Sequence, residues 1–378
     1  MTTSINETRL TGAAALHRRA IIVDGHCDTP YRLLRHHVHI DEHDTEAQLD
    51  LRMFQESGIT ASFFAAYVPP FYAGRGAAKF AYRLFDLIHA EVRRRSDVLD
   101  FCTDAAGIRR TKKEGRMAVM IGVEGGHAIE DSLDILRDFH ARGARYMTLT
   151  HVNTNNWCDS SGDAGRHGGL TGFGRDVVRT MNDIGMIVDV SHISDNAFHH
   201  VLETTRLPVV ATHSSCRALT NHPRNMTDGM LRDLARNGGV CMINFFSAFV
   251  NEKVAQVVLH ANKRTRSTGR GTGGTEEMPD DRTNWDEFLK WYAELGCPAA
   301  TLDDVAGHIV HAAAVAGVDH VGIGSDFDGV PALPEGLTSA SSLPALTERL
   351  LQRGLSESDV EKILGGNFMR VLEKVEKG

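Results

Sequence analysis

What this sequence has little of narrows it first. Its six cysteines, at positions 27, 102, 158, 216, 241 and 297, include no Cys-x-x-Cys pair. That argues against a thiolate metal site or a disulfide framework and suits reduced, mostly buried thiols. No run approaches the ~18 consecutive apolar residues of a membrane-spanning helix, and the opening MTTSINETRL lacks the basic stretch and apolar core of a secretory signal. The expectation is a cytoplasmic protein with no membrane partner. Positive charge is short as well: 41 Lys and Arg stand against 49 Asp and Glu, a formal net charge of -8. Nucleic acid and anionic membranes call for the opposite field, so a small-molecule partner is expected. No Gly-x-Gly-x-x-Gly opens a helix after the first strand and no P-loop sequence occurs, which lowers a nucleotide-binding reading. Neither a repeat of fixed period nor a linker between two composition classes is visible, so residues 1–378 read as a single domain.

What is present is an ordinary globular composition, 42% hydrophobic and 24% charged, in a chain long enough for one large α/β barrel or two average domains. Eight apolar runs, at 20–23, 58–68, 117–123, 144–150, 185–190, 207–212, 239–246 and 319–324, read as strands. Helical spacing of apolar residues falls between them at 79–98, 133–139, 173–181, 194–203, 226–236 and 302–316, and again at 342–352 and 356–374. Ser194, Thr301 and either Thr227 or Asp228 are predicted N-caps. One stretch breaks the rhythm. Residues 263–275 are rich in Gly, Arg and Thr without periodicity and are predicted to be a mobile surface loop, inside a flexible insertion around 250–300 that also holds a helix at 285–295. The alternation of strands and helices predicts a TIM (β/α)8 barrel ahead of an open doubly wound sheet.

Twenty histidines is the unusual count, and position relative to the strands has to select among them. Parallel barrels carry their active sites at the carboxyl ends of the strands. Here those ends read His26 and Asp28, Glu124, His151, His192, His213 and Asp326. Side chains alternate along an extended segment, so His26 and Asp28 point one way and Cys27 the other. Taken singly, each of these groups suits a turn cap or a hydrogen-bonded strand end. Gathered at one mouth they are costly unless they bind metal, because like charges repel and carboxylates lose hydration. Mixed His, Asp and Glu ligation suits zinc or another divalent ion of intermediate softness. The candidates suffice for two ions if one carboxylate bridges them, and a metal pair roughly 3.5–4 Å apart holds a hydroxide nucleophile near neutral pH. Glu124, followed by two glycines that allow close backbone approach, is the better bridge. Asp326 is read as the proton-transfer group and Asp328 as a loop cap.

These residues carry a resemblance. Asp24-Gly-His-Cys-Asp-Thr-Pro30, Gly122-Val-Glu-Gly-Gly126, Leu149-Thr-His151, Asp189-Val-Ser-His192, Thr212-His-Ser-Ser215 and Gly324-Ser-Asp-Phe-Asp-Gly329 resemble, in order, the motifs of the renal or membrane dipeptidase family of metallopeptidases. The resemblance implies two Zn2+ per chain, His26 and Asp28 holding one ion, His192 and His213 the other, and Glu124 bridging. It also implies a bridging hydroxide as nucleophile, His151 binding and polarising the scissile carbonyl, Asp326 protonating the departing amine, and Arg224 anchoring the free carboxylate of a dipeptide. A homodimer is implied by the family alone. A different amidohydrolase-like barrel, acting on a cyclic amide, lactone or phosphoester, would open with His-x-His and use a carboxylated lysine, where this chain has His-x-Asp and Glu124. A non-catalytic metal-binding barrel would be expected to lack a ligand or Asp326, and every expected group is present.

Overall fold

The computed structural model describes residues 12–267 and 281–378. Nine strands form one parallel sheet: β1 Val23–Cys27, β2 Ala61–Tyr67, β3 Leu99–Phe101, β4 Met117–Glu124, β5 Ala144–Thr148, β6 Ile187–Asp189, β7 Val210–Ser214, β8 Val240–Ile243 and β9 Val321–Ile323. Eight of them close a ring in the order β1-β2-β4-β5-β6-β7-β8-β9, and β9 pairs back to β1 through Ile323 and Asp24. The eighth-strand closure and the surrounding helices are the predicted TIM barrel. The ninth strand, β3, is an addition. It pairs with the first residues of β4, Leu99 opposite Met117, before β5 takes over that edge at Ile121.

Alternation along the strands explains the two layers of core. On β4, Ala118 and Met120 face the barrel interior with Val23, Phe63, Tyr146, Ile187, Val210 and Met242, while Val119, Ile121 and Val123 face the helices. Phe368, in the last helix Asn367–Val375, packs edge-on against Phe63 with ring centroids 5.2 Å apart. Gly365, just before it, lies against Ile21 and Val23 at the start of β1. The C-terminal segment therefore fills the amino-terminal end of the barrel with apolar side chains. Polar groups are left for the opposite end.

The caps behave as read. Ser194 accepts from the Ala197 amide, Thr227 rather than Asp228 accepts from Met230, and Thr301 forms a reciprocal capping box with Asp304. Helices at Gly12–Arg19, Thr29–His36, Leu51–Ser57 and Ala105–Lys113 were not foreseen. Each spans seven to nine residues, too few turns for apolar periodicity to stand out. The predicted loop at 263–275 needs correction at its start. Residues 263–267 end a helix, Glu252–Ser267, whose Val254 and Val258 pack with Phe246, Phe249 and Tyr292. The remainder of that loop, up to residue 275, lies outside the described residues. The helix expected at 285–295 runs Asp281–Glu294. No described helix is long and apolar enough to cross a membrane.

Candidate metal centre

The sequence-selected residues meet at the carboxyl end of the barrel, and each is set there by its strand. On β1 the register slips between Asp24 and Cys27. The buried Asp24 carboxylate accepts from the Ser325 amide at 2.8 Å and its hydroxyl at 2.7 Å, pinning β1 to the end of β9, and burial pushes this carboxyl up to about 6. Cys27 joins the helix-facing core, which leaves His26 and Asp28 on the mouth. His26 Nδ1 meets the Tyr146 hydroxyl at 2.7 Å. Tyr146 can cross the barrel only because residue 122 is glycine, since a Cβ there would fall inside the Tyr146 ring. With Nδ1 engaged, Nε2 of His26 faces the mouth, buried, with carboxylates around it but no hydrogen-bond partner among the described residues.

The far wall is organised by Asp189 at the end of β6. Its carboxylate accepts from Thr148 Oγ1, the Ser191 and Thr212 amides, and Thr212 Oγ1. Because Thr212 Oγ1 donates to Asp189, it accepts from His213 Nδ1 at 2.9 Å, so His213 Nε2 keeps its lone pair. His192 follows β6 in the left-handed region, φ 67, and brings its Nε2 to 2.9 Å from His213 Nε2. A non-glycine residue there stores strain. Burial, with Arg224 and the neighbouring histidines adding, holds His192 and His213 well below the usual histidine range. They are therefore neutral, the form that ligates a cation.

Glu124 ends β4 between the two walls. Its Oε1 lies 3.2 Å from His192 Nε2, 3.4 Å from His213 Nε2 and 3.9 Å from His151 Nε2, while Oε2 lies 3.5 Å from His26 Nε2. Burial raises this carboxyl to about 7, with His26 opposing and Asp28 and Asp326 adding. Burial would lower His26, but the carboxylates of Glu124 and Asp28 outweigh it and hold the ring charged well above its ordinary range. Asp28 Oδ2 stands 3.5 Å and Asp326 Oδ1 3.9 Å from His26 Nε2. The cluster thus gathers three carboxylates, with one charged ring among them.

Three overlapping sets have ligand atoms all within 4.8 Å of one another: His26, Glu124 and His213; Glu124, His151 and His192; and His26, Asp28 and Asp326. Buried polar atoms without hydrogen-bond partners occur on the same residues, namely His26 Nε2 and Asp28 Oδ1 in the cluster and Nδ1 of His151 and of His192 on the ring edge away from Glu124. Such atoms are costly unless something satisfies them. Gly329 confirms how tightly the carboxylates are cradled, for a Cβ there would overlap Asp28 Oδ2 and Asp326 Oδ1. The donor set, imidazoles with carboxylates and no thiolate, fits a divalent cation of the zinc type, which on binding would displace the proton that the carboxylates hold on His26.

Arg224 reaches the same mouth from the segment after β7. It is buried, donates to Ser214 Oγ at 3.3 Å and the His213 carbonyl at 3.0 Å, and leaves its Nε without a partner. Burial lowers it to about 10, against the pull of Asp326 and Glu124. Asp328 stands apart from the cluster and ties loops together, accepting from Thr29 Oγ1 and the Gln48 amide, as its reading as a cap implied. Supporting residues were missed. Asn244 donates to Asp326 Oδ2 at 2.8 Å, and it directly follows the apolar run of β8, where the strand-end rule could have found it. Tyr146, Asp189 and Thr212 lie within or end strands and give no comparable signal.

The whole chain has relatives of matching kind. The family described as membrane dipeptidase, peptidase family M19, matches residues 10–378. Dipeptidase verJ of Clonostachys rogersoniana is 33% identical, the match covering 98% of this chain and 88% of that one. Human dipeptidase 3 is 32% identical over 97% of this chain and 67% of its own length. Among solved structures, the probable dipeptidase PvdM from Pseudomonas aeruginosa superimposes with a TM-score of 0.81 at 25% identity, covering 97% of this chain and 98% of that one. A metallo peptidase from Rhodobacter sphaeroides, liganded with a phosphinate mimic of L-Ala-D-Ala, gives 0.76 at 26% identity, with 94% and 99% covered. The chain belongs to the membrane dipeptidase family M19 and is a metal-dependent dipeptidase.

Proposed function

We propose that this dipeptidase works through a binuclear zinc centre in which His26 and Asp28 hold one ion, His192 and His213 the other, and Glu124 lies between them. The observation that carries this reading is the division of Glu124, one oxygen towards His192 and His213 and the other towards His26. When bound, a zinc pair supplies an ionised water near neutral pH and withdraws charge from the scissile carbonyl. The remaining work belongs to the side chains. His151, part-exposed beside Glu124, donates to the carbonyl oxygen as negative charge develops there. Asp326 moves the proton from the nucleophile to the departing amine nitrogen, and Asn244 occupies its Oδ2 so that Oδ1 faces the centre. Arg224 takes the free carboxylate of the substrate through its unpartnered Nε, a charge-assisted bond. The dipeptide mimic held by the Rhodobacter relative is of the class this arrangement fits.

The test joins metal content to turnover. Metal quantification is expected to find about two divalent ions per chain, and Asp326→Asn to retain both while dipeptide hydrolysis falls about 10²–10⁴-fold. One ion per fully active chain would remove the binuclear reading. Full turnover by the Asn variant would remove the proton role of Asp326.

A further inference from the structure

Arg35, in the helix Thr29–His36 that follows β1, is 5% exposed, yet its Nε and Nη1 have no partner, and no carboxylate lies within salt-bridge distance among the described residues. Its neighbour Arg32 shows the contrast. Arg32 is equally buried but donates to Asp44 at 2.6 Å and the Leu49 carbonyl at 2.9 Å, and lies 3.1 Å from Asp328. A buried guanidinium without an anion is costly. What Arg35 has instead is aromatic faces, Trp285 at 4.5 Å and Tyr31 at 5.1 Å from its central carbon. Stacking supports the plane of the cation but leaves its hydrogen-bonding edge unanswered.

That residue lines a cavity of about 200 Å³, with Arg32, Glu46, Gln48, Trp285, Asp328 and Val330 among the walls, the Asp328 carboxylate being taken up by Arg32, Thr29 Oγ1 and the Gln48 amide. Glu46 stands at its rim and lies 3.5 Å from His36 Nε2. The lining comes from segments that follow β1, β8 and β9, so the cavity opens on the same end of the barrel as the metal centre. We propose that this cavity binds a carboxylate, with Arg35 as its cation and Trp285 and Tyr31 as the walls that hold the guanidinium plane. Two sources share that chemistry: an acidic side chain on the N-terminal residue of a substrate, and a free small organic acid. The first rests on Arg224 taking the substrate's own carboxylate. Arg224 lies after β7 and Arg35 after β1, so for this source a dipeptide anchored at Arg224 has to cross the mouth and place its N-terminal residue on the β1 and β9 side.

The experiment uses the full metal-loaded chain, Arg35→Met and Arg35→Lys. For the substrate source, kcat/KM for Glu-Ala is expected to exceed that for Gln-Ala by about tenfold, with the ratio falling to about one in Arg35→Met and partly restored in Arg35→Lys. Glutarate titrated alone is expected to shift tryptophan emission in the parent and not in Arg35→Met. A glutarate response with a Glu-to-Gln ratio of one assigns the cavity to a free acid. A ratio of one with no glutarate response overturns the proposal. If the parent hydrolyses no dipeptide, the zinc mechanism falls while the glutarate titration still decides the cavity. Arg35→Met should melt no lower than the parent, since it deletes an unpaired buried charge, and a large loss of Tm would make Arg35 a structural residue and overturn the proposal.

Discussion

At the scale of the residue, the centre depends on groups one step behind the atoms that face it. Tyr146 fixes His26 through a 2.7 Å bond to Nδ1, and such a partner sets both the ring's tautomer and its direction. Tyr146→Phe keeps the ring and the packing against Phe63 and removes the bond. Metal affinity is expected to fall about 10–100-fold with little change in Tm, measured by competition against a chromophoric chelator; unchanged affinity would show that the bond does not orient His26. Arg224 makes a separate prediction. Arg224→Ala should raise KM for dipeptides while a substrate amidated at its carboxyl end is cleaved as by the parent, and an equal loss on both would remove the carboxylate anchor. His26, Asp28, Glu124, His192 and His213 were legible because each ends an apolar run, and a strand end in a parallel barrel points to the site. Tyr146 was not, because its role depends on the absence of a side chain at residue 122 across a neighbouring strand, a fact of register that no single segment carries.

At the scale of the element, long segments announced themselves and short ones did not. The helix Leu302–Ala316 was legible from its apolar content and from Thr301, whereas the eight-residue Thr29–His36, with its buried arginines and Pro30 in the first turn, reads as polar chain. Packing of the longer helix adds a pH dependence. His308, on its buried face, accepts the Cys216 amide at Nδ1 at 3.0 Å, tying the helix to the segment after β7. Burial lowers this histidine from 6.5 to about 4. The unfolded chain therefore binds a proton between these values that the folded chain refuses, so stability is full above pH 6.5 and declines as pH falls towards 4. The difference corresponds to about 3 kcal/mol for this one group. Denaturant unfolding of His308→Gln is expected to show a pH 7 to pH 4 decline smaller by that order. An identical decline in both proteins would mean that His308 does not carry it.

At the scale of the whole molecule, the barrel divides its labour between its ends. The amino-terminal end is filled by Phe368 and its apolar neighbours, and adds stability without chemistry. The carboxyl end concentrates buried polar atoms that protein partners leave unsatisfied, together with His192 and Asp326 in left-handed backbone at φ 67 and 64. That end is a destabilised region of the apoprotein unless cations occupy it, because its carboxylates repel and its lone pairs face one another. The candidate ligands come from the ends of β1, β4, β6 and β7, so bound ions would tie together strands distributed around the ring. A cation that binds only the folded chain stabilises it by mass action, by about 4 kcal/mol at a free concentration a thousand times its Kd. Removing metal with a chelator is therefore expected to lower the Tm of the parent by several degrees and to abolish turnover, both restored by zinc. In the proposed binuclear arrangement Glu124→Ala removes the carboxylate common to both positions and is expected to weaken both ions together, so that variant should bind little metal and its Tm should be insensitive to the chelator. It also loses one of the mutually repelling carboxylates, which is why its metal-free form should melt no lower than the stripped parent. Retention of a single tightly bound ion by Glu124→Ala, with a chelator-sensitive Tm, would show that the two positions fill independently and that Glu124 belongs to one of them only.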